Sequence, residues 1–313
     1  MHTDPARWIV VIPAKDEQLR IPRALQALDR AARGVSEEVN VLVYANNCTD
    51  GTAMAAGHTA RSAHLNTVVE ERRLPDALAH AGGARRAAVE AARRVFGARD
   101  RDRLFSTDAD AIVPEDGLRT AGAAFAAGAD VVLARIACLA DPAEPAPQTA
   151  LRRRARIVLW RRHVREVVEW LRTGQPASEL LHGDHGAAGI AATFSAYDEA
   201  GGFPPVPSEE DRSFVGSADA LGLRVDRSSG FAVRASTRVT GRALGGMADL
   251  LHRDAASADP GLVERHDLTL ERLCAGPCHA RAFVQWPAAL EPADRAIAGL
   301  EAFLAQMRAG RAA

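Results

Sequence analysis

Cysteine is scarce in this chain. Four thiols in 313 residues, Cys48, Cys138, Cys274 and Cys278, are too few and too scattered for a disulfide framework. Cys274 and Cys278 lie close together, but no second pair completes a zinc site, and a reduced, cytoplasmic protein is the simplest expectation. Long hydrophobic runs are missing too. No segment reaches the ~18 uncharged apolar residues of a membrane span, and the opening MHTDPARW lacks the basic start and apolar stretch of a signal peptide. No transmembrane segment is therefore expected, which leaves peripheral contact with a membrane open. Charge of one sign is lacking as well: 39 Lys+Arg against 40 Asp+Glu leave a net charge of −1, so nucleic acid is not an expected partner. The Gly-x-Gly-x-x-Gly that a dinucleotide oxidoreductase needs after its first strand does not occur there either.

What is present describes an ordinary globular protein, with 47% hydrophobic and 25% charged residues and enough length for a large core. Short β-like runs alternate with longer helical ones over the first 135 residues. Strands are expected at Trp8–Pro13, Val39–Ala45, Leu65–Glu70, Leu104–Thr107 and Asp130–Arg135. Helices are expected over 19–33, 50–61 and 76–96, with another opening at Pro114. This alternation implies a Rossmann-like α/β fold, a mostly parallel sheet flanked by helices, with ligands beyond the carboxyl ends of the strands. After a Pro-rich break, 141–148, a basic helix over 151–172 carries an apolar stripe of Ile157, Trp160, Val164, Val167 and Leu171. Its reading is a helix packed on the body, with contact to a membrane or an anionic acceptor as the alternative. A Gly/Pro-rich region spans 173–207, a strand is expected at Phe231–Arg234, and the tail from Pro260 reads as helical.

Two carboxylates at i and i+2, Asp108 and Asp110, follow the strand Leu104–Thr107 directly. A strand end holds such a pair rigidly, and hard oxygen ligands suit Mg2+ or Mn2+ bridging two phosphates. Taken alone, Asp-Ala-Asp could equally be a polar turn closing a strand.

Further motifs agree in order and spacing. The opening Ile12-Pro13-Ala14 and Lys15-Asp16-Glu17, the turn Asn46-Asn47-Cys48-Thr49-Asp50-Gly51-Thr52, the pair Asp108 and Asp110, and Glu210-Asp211 after Gly201-Gly202-Phe203 together span most of residues 8–215. This series resembles the family 2 glycosyltransferases of GT-A fold, in their soluble, non-processive form; some likeness to glucosyl- and mannosyl-phosphoglycerate synthases accompanies it. The resemblance implies a GT-A domain over 1–250, with a nucleotide-binding half over 1–135 and an acceptor-side half over 136–250. A helical C-terminal extension, 251–313, would pack on that domain. It also implies an inverting, metal-dependent transfer of one sugar from a UDP- or GDP-linked donor to a small or peripheral acceptor hydroxyl, with room for an anionic acceptor and for a homo-oligomer.

By the same resemblance Pro13, Ala14, Glu17, Asn46 and Asp50 line the nucleoside pocket. Asp110 is the principal metal ligand, and Asp108 with Ala109 lies toward the ribose or sugar, Asp108 also near the metal. Asp211, beside Glu210, is the base that deprotonates the acceptor. Arg85, near His80 and Gly82-Gly83, lies by the donor diphosphate. Ser236-Thr237-Arg238 and Gly241-Arg242 resemble a stretch whose arginines clamp a diphosphate or an anionic acceptor, and His252 stands where related enzymes supply a further metal ligand.

Each motif also has a plainer reading. Asp211 could simply face the helix dipole behind an N-cap at Ser208, Arg238 and Arg242 could sit on a surface loop, and His252 could be a surface histidine. The loop His182-Gly183-Asp184-His185 could bind the acceptor, hold the loop together or bind metal. A Gln-x-x-Arg-Trp motif is missing, which fits addition of a single residue, and Ala45 or Asn46 stands where the family usually has aspartate, which leaves the base unassigned. A non-catalytic sugar-nucleotide-binding protein and a sugar-1-phosphate nucleotidyltransferase are the other readings. The latter lacks its glycine-rich opening, since Ala14-Lys15-Asp16-Glu17 fills that place.

Overall fold

The run WIVVIPA has no polar side chain on either face of its pleat, so it can rest only where both faces are covered. In a computed structural model, which describes residues 5–173, 181–184, 186–228, 230–256, 262–264, 290–292 and 298–305, this run is β1 (Trp8–Ala14), a central strand. Trp8, Val10 and Ile12 join one core with Leu25 and Leu28 of α1 (Ile21–Ala32). Ile9 and Val11 join a second core with Ala88 and Val89 of α3 (Ala81–Phe96). Period-two alternation thus feeds two cores from one strand.

β1 pairs in parallel with β2 (Val39–Asn46), and β2 with β3 (Asn66–Arg72), α2 (Thr52–Ala60) lying between those two in sequence. On its other side β1 pairs in parallel with β4 (Arg103–Ser106). The chain builds outward from β1 to β3 and then returns to β4, so the topological switch falls between β1 and β4. Their carboxyl ends open the crevice where such sheets bind ligands. Helix α4 (Gly117–Ala126) leads to β5 (Val131–Leu133), and the full sheet reads β3-β2-β1-β4-β7-β5-β8, with β7 (Ile190–Thr193) antiparallel to both neighbours and β8 (Val225–Asp226) at the edge. The fold is therefore a mostly parallel sheet flanked by helices, as expected.

Several elements depart from the sequence reading. The expected strand Asp130–Arg135 breaks at Ala134, and β6 (Arg135–Leu139) leaves to pair in parallel with β9 (Ala232–Ser236). An isolated bridge between Ile112 and Arg234 ties this second sheet to the β4 end. β7 and α6 (Phe194–Glu199) lie inside the stretch read only as Gly/Pro-rich, because Ile190–Thr193 is too short to show periodicity. The helix expected over 76–96 is a 3-10 turn at Asp76–Leu78 followed by α3, whose N-cap His80 accepts a hydrogen bond from the Gly83 amide at 3.2 Å. Close approach makes the glycines necessary here. A Cβ on Gly82 would lie 2.4 Å from the Val206 carbonyl oxygen, and one on Gly83 would lie 2.3 Å from that of Leu78. Pro114 closes a turn by accepting the Gly117 amide, and α4 starts three residues later.

The basic helix is α5 (Gln148–Thr173). Its Trp160, Val167 and Val168 are buried with Leu300 and Leu304 of α9 (298–305), so this face of the helix packs against the C-terminal helix. Beyond α7 (Glu210–Leu221), α8 (Met247–Ala256) begins the C-terminal segment. The tail is not wholly helical, because β10 (Leu262–Glu264) and β11 (Leu290–Pro292) form an antiparallel pair between α8 and α9. Cys274, Cys278 and His185 lie outside the described residues. Among those described, no helix is long and apolar enough to cross a membrane.

Candidate functional site

The turns after β1 and β2 interlock. Asp16 and Asn47 both adopt left-handed backbone, with φ of 54° and 50°, a conformation that Asp and Asn tolerate better than most residues. The Thr52 hydroxyl accepts the Glu17 amide at 2.8 Å, the Asp50 carboxylate accepts the Gln18 amide at 3.1 Å, and the Thr49 amide and hydroxyl both donate to Asp16. Burial works against the charge of Asp50, but bonds from Thr52 and the Gln18 amide hold its pKa below the usual carboxylate value. Ala14 and Asn46 are buried and Pro13 is half-buried at the strand ends. Ligand atoms of Asp16, Cys48 and Asp50 lie within 4.8 Å of one another, a cluster able to coordinate a metal ion. That cluster was not anticipated from the sequence, since Cys48 sits 32 residues from Asp16.

Across the switch point, the end of β4 carries Asp108, Ala109 and Asp110. The Thr107 amide bonds the Val11 carbonyl at 3.1 Å and so continues the ladder past the strand, while the Ala111 amide closes a turn onto the Asp108 carbonyl. Ala109 is buried, which turns the two carboxylates outward from the core. Arg238, just past β9, donates to both oxygens of Glu17, through Nη1 at 2.7 Å and through Nη2, and its Nη2 also lies 3.2 Å from Asp110 Oδ2. The three groups join the β1 turn, the β4 end and the β9 end. Burial pushes Asp110 up to about 7, with Asp108 and Glu17 adding to the shift and Arg238 opposing it. Made of hard oxygens and beside the second carboxylate of Asp108, Asp110 has the donor chemistry of a divalent-cation ligand, with Arg238 already standing against it.

Arg85 fills the space between the donor side and α7. Its Nε donates to Glu210 at 3.1 Å, Nη1 to the Ser106 hydroxyl at 2.6 Å and the Ala187 carbonyl at 3.4 Å, and Nη2 to Asp108 at 2.8 Å. Both Arg85 and Glu210 are buried. Although burial disfavours the guanidinium charge, Asp108 and Glu210 hold its pKa above the ordinary value. The backbone of Ala187 faces both ways, because its amide donates to Asp211 Oδ2 at 3.0 Å, while the Arg212 amide donates to Oδ1 at 2.8 Å. Asp211 is pushed up to about 6, mainly by burial and then by Glu210, with Arg85 opposing. The N-cap of α7 is Glu209, at φ 65°, rather than the expected Ser208.

The structure thus brings Asp108, Arg85, Glu210 and Asp211 into one network, and Glu17, Asp110 and Arg238 into another. Arg85 was expected beside a diphosphate; its donors are instead engaged within the protein, by partners up to 125 residues away in sequence. Arg242 is exposed and bonds the Asp16 carbonyl at 2.9 Å, which places its loop across the β1 turn. His252 is exposed on α8 and bonds the Val239 carbonyl at 2.8 Å; among the described residues it does not converge with Asp108 and Asp110 as a ligand trio. His182 is buried with both ring nitrogens on backbone, Nε2 on the Leu133 carbonyl and Nδ1 on the Asp184 amide, and Asp184 accepts the Ile136 amide. This part of the loop is built as structure. A cavity of about 490 Å³ lies at the far edge of the sheet, lined by Arg165, Asp219, Arg224 and Arg227 among others, and none of the carboxylates above borders it.

Raised carboxylates give a signed pH dependence. Asp110 and Asp211 hold protons in the folded state at pH values where the unfolded chain has released them. The folded state therefore binds more protons between about pH 4 and the folded values of about 6 and 7, and stability falls as pH rises through that window. Urea unfolding at pH 4.5 and 7.5 is expected to show this fall, and the double variant Asp110→Asn, Asp211→Asn is expected to flatten it. An unchanged slope in that variant would mean that other groups carry the dependence.

No protein-family model and no curated protein matches the chain. Solved structures do. S. aureus TarS 1–349 in complex with UDP-GlcNAc aligns at 18% identity and a TM-score of 0.51, over 88% of this chain and 69% of that one. The mannosyltransferase PcManGT from Pyrobaculum calidifontis, in complex with GDP-Man and Mn2+, aligns at 17% identity and a TM-score of 0.48, over 98% and 81%. Glucosyl-3-phosphoglycerate synthase from Mycobacterium tuberculosis, in complex with UDP, aligns at 16% and 0.42, over 83% and 84%. A structure of TarS 1–349 alone is spanned by this chain over 60% of its length. At these identities the likeness shows a shared fold and nothing beyond it.

Proposed function

We propose that this chain is a metal-dependent glycosyltransferase of GT-A architecture that moves one sugar from a nucleoside diphosphate sugar to the hydroxyl of a small or peripheral acceptor, with inversion. One observation carries the reading: Asp108, in the carboxylate pair at the end of β4, and Asp211, at the start of α7, are joined through Arg85 and the backbone of Ala187. Asp110, with Asp108 beside it, would hold a divalent cation, and when bound that cation supplies neutralisation of charge building on the leaving diphosphate. Pro13, Ala14, Glu17, Asn46 and Asp50 bind and orient the nucleoside in the β1–β2 crevice.

Asp211 takes the acceptor proton. Two backbone N–H groups orient its carboxylate, and a pKa of about 6 suits a base that works near neutrality. Attack from the side opposite the leaving group gives inversion. Arg242, exposed on the loop that crosses the β1 turn, offers an anionic acceptor a paired donor. The half 1–135 serves the nucleotide and the half 136–250 the acceptor, while α8 and α9 lie against α5.

A thermal-shift panel of UDP- and GDP-sugars, with and without Mn2+, tests the reading. Binding at a hundred times Kd is worth ~2.7 kcal/mol of stabilisation, a rise of several degrees in Tm. The expected result is a shift with one nucleotide class that grows with Mn2+ and disappears in Asp110→Ala. A shift that ignores metal in both proteins would favour a binding protein without turnover. Mn2+ enhancement that survives Asp110→Ala but is lost in Cys48→Ser would move the metal to the Asp16, Cys48 and Asp50 cluster.

A further inference from the structure

Arg238 stands against Asp110, the carboxylate read above as the metal carrier. Its Nη2 spends one N–H on Glu17 and lies 3.2 Å from Asp110 Oδ2, while its Nη1 is committed to the other Glu17 oxygen at 2.7 Å. All three side chains are largely shielded from water, with exposures of 9% for Arg238, 6% for Glu17 and 17% for Asp110. A hard divalent cation binds carboxylate oxygen at about 2.0–2.6 Å, so cation and guanidinium would meet on one carboxylate with little screening between them.

The backbone offers no escape. Thr237 bonds the Leu139 carbonyl through its amide at 2.9 Å and its hydroxyl at 3.1 Å, the Thr240 amide bonds Glu144 at 3.0 Å, and His252 bonds the Val239 carbonyl. These bonds hold the backbone on both sides of Arg238, so its side chain is the part left to re-aim, and a diphosphate is the anion that the proposed donor would offer it. We propose that Arg238 is the resident counter-cation of Asp110: it opposes metal binding while the crevice is empty and transfers to the diphosphate when the donor enters, so that metal and nucleotide bind as a coupled pair. This rests on the reading of Asp110 as the metal carrier.

Coupling of this kind is reciprocal and measurable without turnover. Mn2+ affinity is read by electron paramagnetic resonance of the free ion on the full chain, alone and with saturating UDP or GDP. For the wild type the expected result is weak binding alone and at least a tenfold gain with nucleotide. Arg238→Gln is expected to bind Mn2+ alone at least tenfold more tightly and to lose most of the gain. Arg238→Lys keeps the charge and should keep weak binding.

The double variant Arg238→Gln, Glu17→Gln separates loss of the cation from exposure of Glu17, and should still bind Mn2+ more tightly than Glu17→Gln. Equal affinity in wild type and Arg238→Gln, or no nucleotide effect in the wild type, would overturn the inference and leave the metal reading standing. No Mn2+ bound by either protein, with or without nucleotide, or binding unchanged in Asp110→Asn, would overturn the metal reading and the inference with it. Should Arg238→Gln fail to fold, the nucleotide effect in wild type and Arg238→Lys still decides.

Discussion

Asp211→Asn is expected to lower the metal-dependent release of nucleoside diphosphate from its sugar nucleotide by roughly 10³-fold, within the range that a positioned general base contributes. The donor should still bind, because Asp211 lies at the start of α7 and the proposed nucleoside site lies beyond β1 and β2. The substitution is nearly isosteric, but an amide has one oxygen where the carboxylate has two. One of the two amides, Ala187 or Arg212, therefore loses its acceptor, at a cost of about 1–3 kcal/mol if that amide stays buried. Folding is expected to survive that loss.

A rate loss far larger than the stability loss, with donor-induced thermal shift intact, would mark proton transfer as what is missing. The acidic limb of the wild-type pH profile, expected near the folded value of about 6, should vanish in the variant. A rate within a fewfold of wild type would place the base elsewhere, and loss of donor binding in parallel with rate would reduce Asp211 to a structural carboxylate.

What could be read in the sequence follows from what each signal depends on. β1 and β2 were legible because a strand covered on both faces must be continuously apolar, and WIVVIP and VNVLVYA are nearly so. Asp108 and Asp110 were legible because adjacency to a strand end is a local property. β7 was not legible: four residues, Ile190–Thr193, show no period, and their antiparallel place between β4 and β5 is set by tertiary packing.

The break at Ala134 is likewise non-local, since β6 leaves the main sheet to meet β9 almost a hundred residues later. The left-handed Glu209 that opens α7 displaces the cap expected from Ser208, and no propensity favours glutamate there. Among the site residues, types were legible and partners were not. Arginines at 85 and 238 could be suspected of meeting anions, but the anions they meet are Glu210, Asp108, Glu17 and Asp110, up to 221 residues away. Only the closed sheet brings them together.

The second large effect concerns Arg85. Arg85→Met removes the one guanidinium that faces Asp108, Glu210, Ser106 and the Ala187 carbonyl, and leaves Glu210 buried with that partner gone. Deleting one member of a buried ion pair costs about 3–5 kcal/mol, because the surviving charge is left without compensation. Methionine fits the stem volume and so limits the cavity contribution. The urea midpoint should fall with the slope unchanged, which marks a stability loss rather than a change in compactness.

Without Arg85 the buried Glu210 carboxylate loses the guanidinium that bonds it at 3.1 Å. Glu210→Gln in the same background should recover part of the loss, since it removes the orphaned charge, and the double-mutant cycle isolates that term. A deficit below about 1 kcal/mol would mean that water reaches Glu210 as soon as Arg85 is gone. Arg85→Met also cuts the bonded path from Asp108 to the start of α7, whereas Asp211 should keep its two amide bonds from Ala187 and Arg212.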